Sequence, residues 1–431
     1  MLHSNLSVNE KGHLTLCHAD TVALAKKYGT PLYLLDETRV REKCRTYNRA
    51  MKQYFSETAR PLYASKALSF KGIYRLAKEE HMAVDVVSPG ELYIALAAGM
   101  PPEDIYFHGN AKTVADIRYA MDAGIGYFVA DNMVELDRIS AYAKEKQMTQ
   151  KVLLRITPGI DPHTFDAVNT GKVDSKFGSA IATGQAEEIF RYASSLDHIQ
   201  LCGFHCHIGS QIFDEKPFCD AADLMLTFMV SLRDKYGYVA ETLNLGGGIG
   251  VRYTEQDPYI DIEDTLRLVG THLHKICDET GYPMPQILME PGRSLVADAG
   301  VTLYEVQNVK TITGYKSYAA IDGGMTDNPR YALYQSKYTA LLANRANEEA
   351  DFSCTVAGRC CESGDLIGEN MLLPKPAVGD ILAILVTGAY NYAMASNYNC
   401  LTKLPIVMIA DGIDTLAVRR ETYADMTACQ L

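Results

Sequence analysis

Between residues 62 and 290 the chain alternates short apolar runs with longer stretches whose apolar side chains recur at helical spacing. The runs at 62–65, 83–87, 105–108, 126–130, 152–157, 200–206, 242–245 and 287–290 have the length of strands. The intervals at 71–80, 91–98, 114–121, 134–146, 185–195, 218–235 and 262–279 carry the helical period. Strands alternating with helices form parallel βαβ units, because a parallel neighbour is reached only through a crossover. Eight such units over roughly 230 residues match a TIM-type (β/α)8 barrel. An open doubly wound sheet is the other arrangement this pattern allows.

After residue 290 the texture changes. Runs at 301–311, 318–321, 352–357, 380–385 and 405–409 are rich in β-branched and aromatic residues, with Gly, Asn and Pro between them. They predict an antiparallel β domain. The segment 31–35 reads as one more strand and is expected to pair there. The predicted organisation is a barrel over 36–290 and a β domain built from 1–35 and 291–431.

Composition narrows the class further. The chain has 431 residues, 47% apolar and 22% charged, which suits two globular domains. A net charge of −12 argues against a nucleic-acid partner. No apolar run approaches the ~20 residues of a membrane span. The first residues lack the basic-then-apolar order of a signal peptide. Eleven cysteines without regular spacing fit free thiols in a reducing compartment, so a cytoplasmic protein is expected.

Polar motifs fall just after the strand runs, where a (β/α)8 barrel builds its active site. Lys66, in Tyr63-Ala64-Ser65-Lys66-Ala67, stands where the first strand gives way to a helix. There it is expected to be partly desolvated, which lowers its pKa and makes it a nucleophile toward aldehydes. Asp85 to Glu91 spans the end of the second strand, and His108-Gly109-Asn110 ends the third. Arg155 lies in the fifth, and the stretch from His205 to Ser210 ends the sixth. Gly246-Gly247-Gly248 ends the seventh, and Glu290-Pro291-Gly292-Arg293 ends the eighth.

These residue types suggest a chemistry. Glycines let backbone N–H groups approach phosphate oxygens, and the Ser210 hydroxyl is placed to join them. No P-loop lysine pattern is present, which argues against nucleoside triphosphates. His205 and His207, two apart on a strand, are expected to face the same way. They suit a metal, with His108, His163 or carboxylates as further ligands, or an imidazole stacked on an aromatic cofactor. Glu290 beside a pyridine nitrogen favours the protonated ring, the electron sink that pyridoxal phosphate needs. Arg293 suits a substrate carboxylate. In the β domain, Cys360-Cys361-Glu362-Ser363-Gly364-Asp365 sets a thiol beside carboxylates, as a general acid requires. Tyr390 offers a phenol to a phosphate or carboxylate, and Arg330 with Tyr334 forms a further carboxylate-binding pair.

Taken together, these motifs resemble the diaminopimelate decarboxylase family of fold type III pyridoxal-phosphate enzymes, which also include alanine racemase and eukaryotic ornithine decarboxylase. The resemblance is carried by Tyr-Ala-Ser-Lys-Ala at 63–67, Asp-Val-Val-Ser-Pro-Gly-Glu-Leu at 85–92 and His-Cys-His-Ile-Gly-Ser-Gln at 205–211. Leu-Gly-Gly-Gly at 245–248, Glu-Pro-Gly-Arg-Ser at 290–294, Cys-Glu-Ser-Gly-Asp at 361–365, Gly-Ala-Tyr at 388–390 and Ser-Asn-Tyr-Asn at 396–399 complete it. It spans nearly the whole chain, from Tyr28 to Tyr423.

The resemblance implies conversion of meso-2,6-diaminopimelate to L-lysine and CO2, the last step of lysine biosynthesis. Related enzymes act on arginine, ornithine or carboxynorspermidine. It implies that Lys66 holds pyridoxal phosphate as a Schiff base and that His207 stacks on its ring. Asp85 would bind the cofactor and Glu290 would contact its pyridine nitrogen, while Ser210, Gly247, Gly248, Gly292 and Arg293 would hold its phosphate. Arg293, Arg330, Tyr334 and Glu362 would bind substrate, Tyr390 would touch both, and Cys361 would donate the proton to Cα. A homodimer with shared active sites is implied as well. The sequence departs from the family pattern at Tyr331 and Arg359, where proline is usual, and at Ala111 in Asn110-Ala111-Lys112.

Overall fold

The protein is described here as a computed structural model covering residues 2–160 and 175–431; His163 lies outside the described residues. Its contacts divide it into two compact units: Lys43–Gly250 with Tyr259–Ser294, and Met1–Glu42 with Val251–Pro258 and Leu295–Leu431.

The first unit is a closed parallel barrel. Among the described residues its wall is β1 (Arg60–Ala64), β2 (Ala83–Val86), β3 (Ile105–Phe107), β4 (Tyr127–Ala130), β5 (Gln150–Thr157), β6 (Ile199–His205), β7 (Thr242–Asn244) and β8 (Gln286–Met289). Each pairs in parallel with the next, β8 pairs with β1, and the ring is complete. The open-sheet alternative is thereby excluded. Helices fill the intervals, and their starts are fixed chemically. Ser88 caps Pro89–Ala97, Thr113 and Asp116 form a capping box on Val114–Asp122, and Asn132 caps Met133–Glu145.

Two layers of side chains explain how the barrel presents its chemistry. Leu62, Ala83, Tyr106, Val129, Leu153, Cys202 and Leu288, from seven strands, form one buried cluster. Side chains two apart on a strand share a face. Two positions beyond Ala83, Tyr106, Val129, Leu153 and Leu288 stand Asp85, His108, Asp131, Arg155 and Glu290. Five strands thus carry an apolar residue in the packed layer and a polar one two positions further on.

Strand β6 keeps this order only through an irregularity. Its register against β5 shifts between Leu201 and Gly203, so that His205, three residues beyond Cys202, pairs with Arg155. Only glycine fits at the shift, since a Cβ on Gly203 would lie 1.9 Å from the Thr242 carbonyl oxygen.

The second unit is a β domain. Its main sheet runs Leu366–Leu373, Phe352–Ala357, Lys316–Ile321, Gly300–Ile312, Leu32–Asp36, Ile406–Ala410, Ile413–Val418. Ile381–Leu385 pairs with both Gly300–Ile312 and Ala340–Leu342. The N-terminal strand Leu32–Asp36 does join this sheet. Most pairings are antiparallel, but Lys316–Ile321 with Phe352–Ala357 and Leu32–Asp36 with Ile406–Ala410 are parallel. Leu366–Leu373 and Ile413–Val418 were not evident from the sequence. The first holds Gly368, Glu369 and Asn370, and the second is a largely exposed edge, so neither shows a buried face. No helix of the described residues is long and apolar enough to cross a membrane.

Candidate active site

The polar layer of the barrel centres on Glu290. Its backbone N–H donates to the Gly246 carbonyl at 2.7 Å, which fixes the residue just past β8. Asn244 donates its amide N–H to Oε1 at 2.7 Å. The Asn244 carbonyl oxygen in turn accepts from Gly246 N–H at 2.9 Å, which orients the amide. His205 Nε2 lies 3.1 Å from Oε2, and His108 Nε2 lies 2.9 Å from Oε1. Burial alone would push Glu290 up; its interactions with His108 and His205 outweigh it and hold the group well below the usual carboxylate range. His205 is pushed down to about 4 by its own burial, against the pull of Glu290, and is neutral at neutral pH.

Lys66 follows β1 in a single 3-10 turn, Ser65–Ala67. The side chain is exposed within this chain rather than desolvated, which corrects the expectation. Its setting is electrostatic, because a strand end offers a rim position and the neighbouring strands bring carboxylates to it. Asp85 is pushed up to about 6 by burial and by Glu290, with His108 and Lys66 pulling it back. Glu91 is pushed up to about 7, chiefly by burial, and Lys66 again opposes the shift. Oδ1 of Asp85 is buried with no hydrogen-bond partner among the described residues.

His207 does not share a strand face with His205, since β6 ends at His205. Its Nδ1 accepts from Gly247 N–H at 3.3 Å. Burial first, then the charges of Lys66 and Arg155, lower its pKa well below the ordinary value. The metal-compatible grouping among the described residues is therefore His108, His205 and Glu290, not the expected His205 and His207. Its ligand atoms lie within 4.8 Å of one another and are already engaged in the Glu290 contacts.

The glycine run packs too closely for side chains. A Cβ on Gly247 would lie 2.1 Å from the Glu290 carbonyl oxygen, and one on Gly248 would lie 2.6 Å from that of Gly209. Gly248 also has φ +132°, which an L side chain rarely adopts. Arg293 Nε donates to the Ser210 hydroxyl at 3.1 Å, and Arg293 is 5% exposed. The loops after β6, β7 and β8 thus converge, and they fit a phosphate. An orphaned Asp85 oxygen, an anionic Glu290 and a rim lysine fit the ring of pyridoxal phosphate.

Among the β-domain candidates, Arg330, Tyr334 and Tyr390 are brought together. The Arg330 guanidinium lies 5.2 Å from the Tyr334 ring centroid and 5.5 Å from that of Tyr390. Cys361 and Glu362 are exposed. Cys361 N–H donates to Asn399 Oδ1 at 2.7 Å. Cys360 is buried, its thiol pushed up to about 12 by that burial, and its N–H donates to Asp365 at 2.7 Å. Cys360 and Cys361 are both free thiols.

The departures from the family pattern are accommodated locally. Tyr331 sits in the first turn of Arg330–Tyr334 and donates its hydroxyl to Glu369 at 2.8 Å. Arg359 N–H donates to the Gly323 carbonyl at 2.9 Å, a bond proline lacks. Lys112, beyond Ala111, is a buried strut that donates to Gly109 O, Val129 O and Glu135 Oε1.

Sequence reasoning overlooked Asn244 and Asp131. Asn244 shares a strand face with Thr242 at the end of β7, and that parity was the available signal.

Comparison with known proteins agrees with this geometry. Residues 37–297 match the family described as pyridoxal-dependent decarboxylase, pyridoxal binding domain. The chain is 44% identical over 430 residues to a diaminopimelate decarboxylase of Bacillus subtilis (strain 168), covering 100% of this chain and 98% of the relative. It is 43% identical over 419 residues to that of Staphylococcus aureus (strain COL), covering 97% of each. A crystal structure of the M. jannaschii diaminopimelate decarboxylase in complex with L-lysine superimposes with a TM-score of 0.92 at 34% identity, covering 100% of this chain and 99% of that one. With a full-length match of this kind and a barrel rim built around Glu290 and Lys66, the chain belongs to the pyridoxal-dependent decarboxylases, within the diaminopimelate decarboxylase family.

Proposed function

We propose that this chain decarboxylates meso-2,6-diaminopimelate to L-lysine and CO2, with pyridoxal phosphate as its cofactor. The observation that carries the reading is the barrel rim. There an anionic Glu290, a glycine cradle and Lys66 stand on strand ends of a chain whose relatives bear that activity in their names. When bound, pyridoxal phosphate supplies an electron sink for the carbanion left by CO2.

The protein's own groups set up that step. Lys66 presents the amine that anchors the cofactor and yields to the substrate amine. Glu290 would offer negative charge to the ring nitrogen, Asp85 would contact the cofactor, and His207, its pKa lowered, would offer it an imidazole. Ser210, Gly247, Gly248, Gly292 and Arg293 take the phosphate. Arg293, Arg330, Tyr334 and Glu362 read the end of the substrate that does not react. That end is a zwitterion and needs both signs of charge, whereas ornithine's distal amine needs only acids. Tyr390 touches cofactor and substrate. Cys361 gives a proton to Cα, with Cys361 and Glu362 serving the partner site of a homodimer. In domain terms, the barrel is 36–290, with 1–35 and 291–431 as the β domain. Free cysteines throughout support a cytoplasmic home.

The test is product analysis. Purified protein with pyridoxal phosphate is given diaminopimelate, ornithine or arginine, and both CO2 and the amine product are measured. L-lysine from diaminopimelate is expected; turnover of ornithine without turnover of diaminopimelate would overturn the reading.

A further inference from the structure

The contacts on Glu290 carry an inference that rests on its proposed role opposite the cofactor's ring nitrogen. A carboxylate that is to stabilise a pyridinium must arrive ionised, oriented and not already neutralised by a cation. At Glu290 the hydrogen-bond donors are the Asn244 amide and His205 Nε2, while His108 Nε2 lies 2.9 Å from Oε1 without making a hydrogen bond. Asn244 is locked between Gly246 N–H and Glu290 Oε1, so its amide cannot turn over without losing both bonds. His205 is 1% exposed, its Nε2 faces Oε2, and its Nδ1 is buried with no partner among the described residues. A protonated Nδ1 would leave a charged N–H unpaired in the interior, whereas a lone pair there costs far less.

We propose that Asn244 and His205 are positioning residues that hold Glu290 through neutral donors, leaving its full negative charge for the ring nitrogen of pyridoxal phosphate. A carboxylate at position 244 would repel Glu290 and make the pair share a proton. A cationic His205 would cancel the charge that the cofactor needs. The charged and titratable groups around Glu290 are Asp85, His108, His205, His207, Arg155 and Cys206, with Lys66 acting through Asp85.

Three measurements test it. In 15N-histidine-labelled protein without cofactor, with His205→Gln used for assignment, NMR is expected to show His205 as the neutral Nε2–H tautomer from pH 6 to 8. An imidazolium or Nδ1–H signal overturns the proposal. Next, pyridoxal-phosphate dissociation constants are measured by fluorescence. Asn244→Asp and His205→Leu are each expected to weaken binding by about 10- to 100-fold, while His205→Gln, which keeps a donor, stays within about 3-fold of the parent. Parent-like affinity in Asn244→Asp overturns the proposal. Last, in a Glu290→Gln background, His205→Leu is expected to change affinity by less than about 2-fold, since it acts through Glu290. An undiminished loss there marks a merely structural role and also overturns it. Failure of the substrate reading is distinguishable: the parent protein would then bind cofactor with this same dependence yet form no lysine.

Discussion

Glu290 on the barrel rim is 5% exposed and is met by an amide and two imidazoles from three other strands or strand ends. Cys361 and Glu362 in the β domain stand exposed, and the Cys361 loop is held through backbone N–H groups, to Asn399 and, one residue earlier, to Asp365. The first arrangement is preorganised by the fold of its own unit. The second fixes where the backbone runs but gives those two side chains no comparable setting. A general acid and a substrate-reading carboxylate need a charge environment, and the roles proposed for Cys361 and Glu362 therefore require groups beyond those that hold this loop. Arg330 lies between these extremes, 6% exposed and stacked on Tyr334 and Tyr390.

This contrast is open to attack at both ends. The largest effect is expected from Lys66→Ala, which should lower turnover by on the order of 10^4-fold or more while leaving the fold intact, because Lys66 is exposed and supports no core. Assay of CO2 release with circular dichroism checks both halves; a well-folded variant with substantial activity would remove Lys66 from the mechanism. Cys361→Ala should reduce kcat by about 10^2- to 10^4-fold with pyridoxal-phosphate affinity unchanged, as measured by steady-state kinetics and cofactor titration. An unchanged kcat would deny it the proton transfer.

The barrel's rigidity is tested away from the chemistry by the Lys112–Glu135 pair, buried with 2% exposure on each side chain and 2.6 Å between charged atoms. Glu135→Ala strands a buried ammonium and should cost about 3–5 kcal/mol in denaturant unfolding. The smallest effect concerns pH. Glu91 is raised from its ordinary 4.5 to about 7 by burial. The folded protein therefore holds a proton there that the unfolded chain has lost, and that contribution is complete below about pH 4.5 and lost as pH rises through about 7. Glu91→Gln stays neutral, so its stability relative to the parent should rise between pH 5 and 8 by about 1–2 kcal/mol. Thermal melts without cofactor at the two pH values read this out, and a constant difference would mean that Glu91 does not titrate in that window.

Much of the barrel was legible because it obeys simple periodicities. Its strand ends carry the polar motifs because the rim is where a parallel barrel exposes them. Local pattern could not show the register shift at Gly203. The sequence through 200–206 reads as one strand-length run, yet the register shifts beside the close approach to Thr242, and His205 meets Glu290. The expected pairing of His205 with His207 gave way to His205 with His108 because the strand ends at His205. Leu366–Leu373 and Ile413–Val418 escaped notice because their polar and exposed faces hide the strand signal until neighbouring strands supply the pairing.

By itself the sequence determined the alternation of strands and helices, the placement of lysine, glycine and carboxylate motifs at strand ends, and the family to which those motifs point. Tertiary structure decided which side chains meet. Asn244, His205 and His108 converge on one carboxylate from positions 46 to 182 residues away. That convergence depends on barrel closure and on a one-residue irregularity. Neither leaves a local trace, because each arises from backbone contacts between strands far apart in the chain.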